Sequence, residues 1–334
     1  MKSDWRELLI SLIPEWMQAS KTPGTIVTLL QADASPEHLC FGVTSQEGGQ
    51  PMAPQTVIQA ASLGKPVFAY MVLKQCELGS LDLDAPLCDY LPEPLLVDEQ
   101  RLPLITARRV LSHTTGLPNW SSEDTPLALR FTPGERFSYS GEGYMYLQRV
   151  IEHLTGQSLD VYMQAEWFQP LGMPESSFIW QEADESRMAH AHKEGQQYAE
   201  YHFVEALSAA SLYTTPADYA RFVAQVLFPP MTDAHHLSPH WREAMLTPQV
   251  TAGPEMAWGL GWGLAHIEDQ MRAWQWGDNG GYKHIAAISP ATQQGIIVLT
   301  NNHQGSQVWK NVLANTLDLH GKIFTWLDNM EKTR

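Results

Sequence analysis

Ala60-Ala61-Ser62-Leu63-Gly64-Lys65-Pro66 opens onto a long apolar run, Pro66-Val67-Phe68-Ala69-Tyr70-Met71-Val72-Leu73. Apolar residues on every side of a helix mark one that is buried in a core. Pro66 suits the first turn, where a missing N–H costs little. Positions three apart share a helix face, which sets Lys65 beside Ser62. A free serine hydroxyl is a weak nucleophile at neutral pH and needs a neighbouring base, and lysine becomes one when burial lowers its pKa. At the helix N-terminus Ser62 would also meet unpaired backbone N–H groups and the positive end of the dipole, both suited to a developing oxyanion. The competing reading of a bare S-x-x-K is an N-cap serine with a surface lysine, and it is the commoner case.

Around this stretch lies an ordinary globular composition. The chain has 334 residues, 44% of them hydrophobic and 17% charged, which is enough for two domains and too apolar for a disordered chain. A formal charge of −16 argues against nucleic acid and anionic membrane surfaces as partners, since no basic patch offsets it. Charges and Pro14 interrupt the N-terminal apolar run, so it does not read as a signal peptide. Trp5, Leu8, Leu9 and Leu12 have amphipathic helix spacing behind a candidate Ser3 cap. No stretch is long enough for a membrane span. Three cysteines, Cys40, Cys76 and Cys88, do not form a disulfide framework, and a cytoplasmic location is the simplest expectation.

Two β-rich runs, Thr25–Leu30 and His38–Val43, flank the turn residues Asp33 to Pro36 and predict a hairpin. From Gly79 to about residue 254 the text is mostly helical pieces cut by Pro and Gly, among them an apolar face of Tyr144, Leu147, Ile151 and Leu154 closed by Gly156. After that the pattern becomes strand-like. Trp258 to Leu264 alternates bulky residues with glycines, Arg272–Trp276, His284–Ile288 and Gly295–Thr300 follow, and Trp309, Val312, Leu313 and Leu317 form a closing helical stripe. Strands at both ends and helices between them predict an α/β (α+β) fold in which an antiparallel sheet flanked by helices is built from both termini. The expected division is a sheet domain of residues 1–78 and 255–334, with a mainly helical domain, 79–254, inserted.

Three further stretches accompany Ser62-Leu63-Gly64-Lys65. They are Leu111-Ser112-His113-Thr114-Thr115-Gly116-Leu117-Pro118, Pro133-Gly134-Glu135-Arg136-Phe137-Ser138-Tyr139-Ser140-Gly141, and Trp276-Gly277-Asp278-Asn279-Gly280-Gly281-Tyr282. In order and spacing they resemble the serine β-lactamase-related superfamily, in particular its class C-like branch of esterases, D-aminopeptidases and D-alanyl carboxypeptidases. The resemblance extends over Leu81-Asp82-Leu83-Asp84, Pro170-Leu171-Gly172-Met173 and Ala209 to Thr215, and so over nearly the whole chain. It implies that Ser62 forms an acyl-enzyme, that Lys65 and Tyr139 handle its proton, and that the N–H groups of Ser62 and Gly281 form an oxyanion hole. Which of Lys65 and Tyr139 is the base stays open, because coupled groups titrate together.

Two departures bear on substrate. The family's Tyr-x-Asn carries Gly141 in its third position, and the third motif has Asp278-Asn279-Gly280 where Lys or His and then Thr are usual. These four are the expected substrate-binding positions. A carboxylate at 278 should repel a substrate carboxylate, which argues against true β-lactamase or carboxypeptidase action and for neutral esters, amides or substrates with a free amine, although Lys283 lies nearby. His113 reads as structural. The clusters His190/His192 and His235/His236/His240 lack a metal framework, and neither metal nor other cofactor is expected. The implied partner is a small ester, amide or peptide; oligomeric state is not encoded. The alternative is a non-catalytic protein that keeps this fold and binds a small ligand or peptide.

Overall fold

The computed structural model describes residues 4–97, 99–228, 235–319 and 321–332; the candidate Ser3 cap lies outside them. Helix α1 (Asp4–Ser20) comes first and buries Trp5, Leu9, Ile13 and Met17, one residue per turn. Pro14 sits inside this helix on its exposed side, so the ring that interrupts the apolar run does not end the element. Strands β1 (Gly24–Gln31) and β2 (Glu37–Gly42) form the expected hairpin. Then come the short strand β3 (Ile58–Ala61) and the buried helix α2 (Gly64–Glu77).

The middle of the chain holds α3 (Ala107–Leu111), α4 (Gly141–Thr155) and α5 (Leu159–Met163). It continues through a two-strand hairpin, β4 (His192–Lys193) with β5 (Gln196–Gln197), to β6 (Leu212–Thr214), which pairs antiparallel with β3. Helices α6 (Pro216–Leu227) and α7 (Pro239–Met245) complete it. In α4, Tyr144, Leu147 and Ile151 are buried as the spacing requires, whereas Leu154 in the last turn is exposed, and Gly156 closes the helix with a left-handed φ of 68°.

The remaining strands are β7 (Val250–Gly253), β8 (Met256–Trp258), β9 (Gly263–Ile267), β10 (Gln270–Asp278), β11 (Lys283–Ser289) and β12 (Gln294–Thr300). With β1 and β2 they make one eight-stranded sheet in the order β2-β1-β12-β11-β10-β9-β8-β7, in which the paired neighbours are antiparallel. Trp258 to Leu264 is not one strand. Its glycines make the β8–β9 turn, with Gly261 at φ 93° and Trp258 paired to Gly263. Helix α8 (Ser306–Ala314) carries the closing apolar stripe, and a further helix, α9 (Lys322–Lys332), follows it.

The sheet is buried on both faces, which is why its strands read as nearly continuous apolar runs. In β12, Ile296 and Val298 face α1, α8 and α9, while Ile297 and Leu299 face the core around α2 and α6. In β10 the same alternation sends Trp274 and Trp276 to the α1–α8–α9 side. Gln275 and Gly277 are left on the α2 side. Among the described residues no helix is long and apolar enough to cross a membrane.

Candidate active site

The chain reaches Ser62 through strain. Ala61, the last residue of β3, is held at φ 55°, a region that costs a non-glycine residue about 1 kcal/mol or more. The helix cap is Leu63, which makes no side-chain capping bond, so the N-cap reading of Ser62 does not hold. Nor is Lys65 a surface residue: it is 1% exposed and Ser62 is 6% exposed. Lys65 Nζ donates to Ser62 Oγ at 3.0 Å and to the Ala209 carbonyl at 2.5 Å, and Ser62 Oγ donates to that same carbonyl at 3.3 Å. A hydroxyl and an ammonium thus share one acceptor.

Two tyrosine rings flank the ammonium, Tyr139 at 4.9 Å and Tyr144 at 5.5 Å from ring centroid to Nζ. They differ chemically. The Tyr139 hydroxyl accepts a hydrogen bond from Gln275 Nε2 at 3.1 Å. Burial pushes the Tyr144 phenol well above its ordinary value, with Tyr139 adding to the shift. Tyr144 is therefore locked as a neutral phenol. His113, also at φ 55°, stacks on Tyr139 with centroids 4.1 Å apart and accepts the Ser140 amide on Nδ1 at 3.1 Å. Its contacts position the tyrosine loop, in keeping with a structural histidine.

Ser140 caps α4 through its hydroxyl, which accepts from Gly143 N at 2.9 Å. Gly141 is fitted closely to the Asn119 carbonyl and the Trp120 ring, where a Cβ would stand 2.7 Å from Asn119 O and 3.0 Å from the indole, so the side chain the family often has here finds no room. A carboxamide arrives from elsewhere: Asn119 Oδ1 accepts the Gly141 amide at 3.0 Å.

The third motif is placed differently from the sequence expectation. Asp278 ends β10 and its carboxylate is paired with Lys283 at 2.7 Å, both side chains being largely buried. That pairing offsets the negative charge on which repulsion of a substrate carboxylate was argued. Asn279 Nδ2 donates to Gln59 Oε1 at 2.7 Å and to Ala210 O at 3.0 Å, bracing the segment that carries the Ala209 carbonyl. Gly280 takes the turn at φ 68°. Gly281 packs against Ala191 and the Tyr198 hydroxyl, so closely that an added Cβ would stand 2.5 Å from one and 2.6 Å from the other. The glycine that meets the Ser62 segment is Gly277, where a Cβ would lie 2.4 Å from Ala60 O. Strand β10 runs straight past Ser62 and turns only afterwards, so its contacts with the site come from Gln275 and Gly277, ahead of the four-residue turn motif.

Behind the site, His284 bridges strands: Nε2 meets Gln59 O at 3.0 Å and Nδ1 accepts Thr300 N at 3.2 Å. Full burial lowers this imidazole to about 4, which keeps it neutral. Gln275, Asn119 and the Ala209 carbonyl were not singled out from sequence. For Gln275 a signal exists, since a lone amide between Trp274 and Trp276 must face away from the tryptophan side of the sheet.

Two openings lie nearby in the fold. One of about 410 Å³ is lined by Tyr139 and its neighbours. A larger one, about 960 Å³, opens at the far end of α2 beside Cys76, Asp82 and His240, and none of Ser62, Lys65 and Tyr139 lines it.

A family model described as Beta-lactamase matches residues 9–318. Esterase EstB of Burkholderia gladioli is 33% identical over 184 residues, 46% of this chain and 46% of that protein. Penicillin-binding protein 4 of Amycolatopsis lactamdurans is 30% identical over 203 residues, 56% of this chain and 52% of that protein. The matched region is thus about half the length of each relative. Among solved structures, a β-lactamase/D-alanine carboxypeptidase from Pseudomonas syringae superposes with a TM-score of 0.82 at 17% identity, over 96% of this chain and 100% of that one. An octameric penicillin-binding protein homologue from Pyrococcus abyssi gives 0.80 at 23% identity, over 96% and 78%. At these identities the superpositions speak for the fold.

Proposed function

Because the chain belongs to the Beta-lactamase family, we propose that it is a serine hydrolase that cleaves small esters or amides through an acyl-enzyme on Ser62. The observation that carries this is the buried Lys65 ammonium on the Ser62 hydroxyl at 3.0 Å. Lys65 as the neutral amine, or Tyr139 as a phenolate held by the Lys65 ammonium, takes the serine proton as Oγ attacks the substrate carbonyl and returns it to the leaving group. Water then takes the acyl group from Ser62, with the same pair handling its proton. Gln275 positions Tyr139 by donating to its oxygen, leaving the phenol proton to point elsewhere. The Ser62 amide supplies one oxyanion donor. The second is the amide of Asp278, the residue that follows Gly277 past Ser62, and this replaces Gly281 in our reading. Residues 79–254 act as an inserted domain that brings Tyr139 and the Ala209 carbonyl to Ser62.

The reading is tested with purified protein and a fluorophosphonate probe, alongside turnover of p-nitrophenyl acetate and of a chromogenic cephalosporin. Mass spectrometry should find one adduct on the peptide holding Ser62, with ester turnover lost in Ser62→Ala. Undiminished turnover in that variant would dismiss the mechanism. A protein that binds such esters without cleaving them would instead be the non-catalytic alternative.

A further inference from the structure

The ring of Tyr139 rests on tryptophans. Its centroid lies 4.8 Å from that of Trp276 and 5.9 Å from that of Trp258, and Phe137, two residues earlier, is tilted against Trp258 at 5.1 Å. Trp258 and Trp274 are fully buried, and among the described residues their indole N–H groups have no hydrogen-bond partner. Rings held by packing alone keep their places only through the neighbours they touch. Helix α9 supplies such a neighbour. The Trp326 indole lies 5.8 Å from Phe137, 5.6 Å from Trp274, 6.0 Å from Trp276 and 6.3 Å from Trp258, centroid to centroid. Unlike Trp258 and Trp274 it is anchored, since its Nε1 donates at 3.0 Å to Ala252 O on β7, the edge strand of the sheet. Gly253 leaves the space for it: a Cβ there would stand 3.1 Å from the indole. One helical turn beyond Trp326, Met330 lines the opening that Tyr139 also lines. This helix, Lys322–Lys332, lies beyond the stretch 9–318 that the family model matches.

We propose that Trp326 is a positioning residue of the active site. Through Phe137 and the tryptophans, docked α9 fixes the Tyr139 ring so that its hydroxyl stays on Gln275 Nε2 and its face on the Lys65 ammonium. The proposal rests on the hydrolase reading for what Tyr139 does there. Lys65 itself is out of reach of α9, because α2, which carries it, is packed in the other core across the sheet. A change at Trp326 therefore displaces the tyrosine and leaves the lysine where it is.

The full chain labelled with 3-fluorotyrosine gives a reading independent of turnover, the Tyr139 fluorine signal being the one missing from Tyr139→Phe. Trp326→Leu should shift or broaden that signal. Phe324→Leu, on the same helix but packed on Trp309 at 5.9 Å, should leave it in place. Circular dichroism checks that each variant is folded at the assay temperature. With unlabelled protein and p-nitrophenyl acetate, Trp326→Leu should lower kcat about tenfold or more and leave KM nearly unchanged, and Trp326→Phe should restore part of the loss. In a Tyr139→Phe background the same change should cost less than twofold, because the group it places is already gone. If Trp326→Leu does not fold, Trp326→Phe carries both readings. An unmoved Tyr139 signal in a folded Trp326 variant overturns the proposal, and so does an equal loss of kcat in the two backgrounds. A displaced signal with ester turnover that is absent from the native protein, or undiminished in Ser62→Ala, would keep the placement of Tyr139 by Trp326 and sink the hydrolase reading. Turnover lost in Ser62→Ala with the signal unmoved would do the reverse.

Discussion

Helix α2 carries a buried lysine near each end, and the two are held in opposite ways. Lys74 is 7% exposed, and its ammonium is matched to the Glu77 carboxylate at 2.6 Å and to His236 O at 2.8 Å. Lys65 lies against a serine hydroxyl, a carbonyl and two aromatic faces. A buried ammonium joined to a carboxylate is a structural link. One joined to a hydroxyl stands where a proton can be exchanged. The cavities lie the other way round, with the larger at the Lys74 end, so volume alone points to the wrong end of the helix.

Substitution of the two lysines tests this contrast most strongly. Lys65→Ala should cost on the order of 10⁴-fold or more in ester turnover, as loss of a member of a nucleophile–base unit does. Lys74→Ala should stay within a few-fold and lower stability by roughly 2 kcal/mol through the broken pair. Similar activity losses, with both proteins folded by circular dichroism, would break the comparison.

The tyrosines around Lys65 give the next step. Tyr139→Phe should reduce kcat by about 10²–10⁴, the range for loss of a general acid or base. Tyr144→Phe should fall less than tenfold, because it removes a phenol held neutral by burial. Gln275→Leu should show a smaller fall than Tyr139→Phe, about tenfold, through the misplaced Tyr139 hydroxyl. Equal effects of Tyr139→Phe and Tyr144→Phe would leave the proton carrier unassigned to either ring.

The last effect is one of pH, read in stability and not in turnover. His284 supports the backbone of Gln59, three residues before Ser62, only as a neutral ring. Its folded pKa of about 4 lies below the ordinary 6.5, so the unfolded chain takes up the proton first as pH falls. The support is complete above about pH 6.5 and is lost toward pH 4, a cost of roughly 3 kcal/mol. Melting temperatures from pH 7.5 to 4.5 should therefore fall more steeply in the native protein than in His284→Gln. Parallel slopes would show that other groups set the acid limb.

Much of the fold was legible because hydrophobic pattern and turn chemistry agree. The β1–β2 hairpin, the apolar α2 and the strands of the last quarter are all local signals. What stayed hidden depends on register and on contacts across hundreds of residues. The alternation of β10 shows which face Gln275 shares with Gly277, but that this face meets Ala60 and Tyr139 is tertiary information. Motif matching placed the third segment at Asp278 to Gly281, because glycines and an asparagine make the stronger text pattern. The pairing of Asp278 with Lys283 follows from their position across the β10–β11 pair, and sequence could only suggest it. Trp258 to Leu264 misled by composition, since alternating glycines suit a flat strand and a tight turn equally well until a left-handed φ decides it.

The two-sided burial of the sheet has an evolutionary consequence. Ser62, Lys65, Gln275 and Gly277 stand on elements packed within the two cores, where a change of even one methylene group disturbs many neighbours. Arg130 and Trp120 come from exposed loop positions between α3 and α4, where exchange of a side chain disturbs little. Lineages sharing this fold should therefore vary in the walls of the opening beside Tyr139 long before they vary at Ser62 and Lys65.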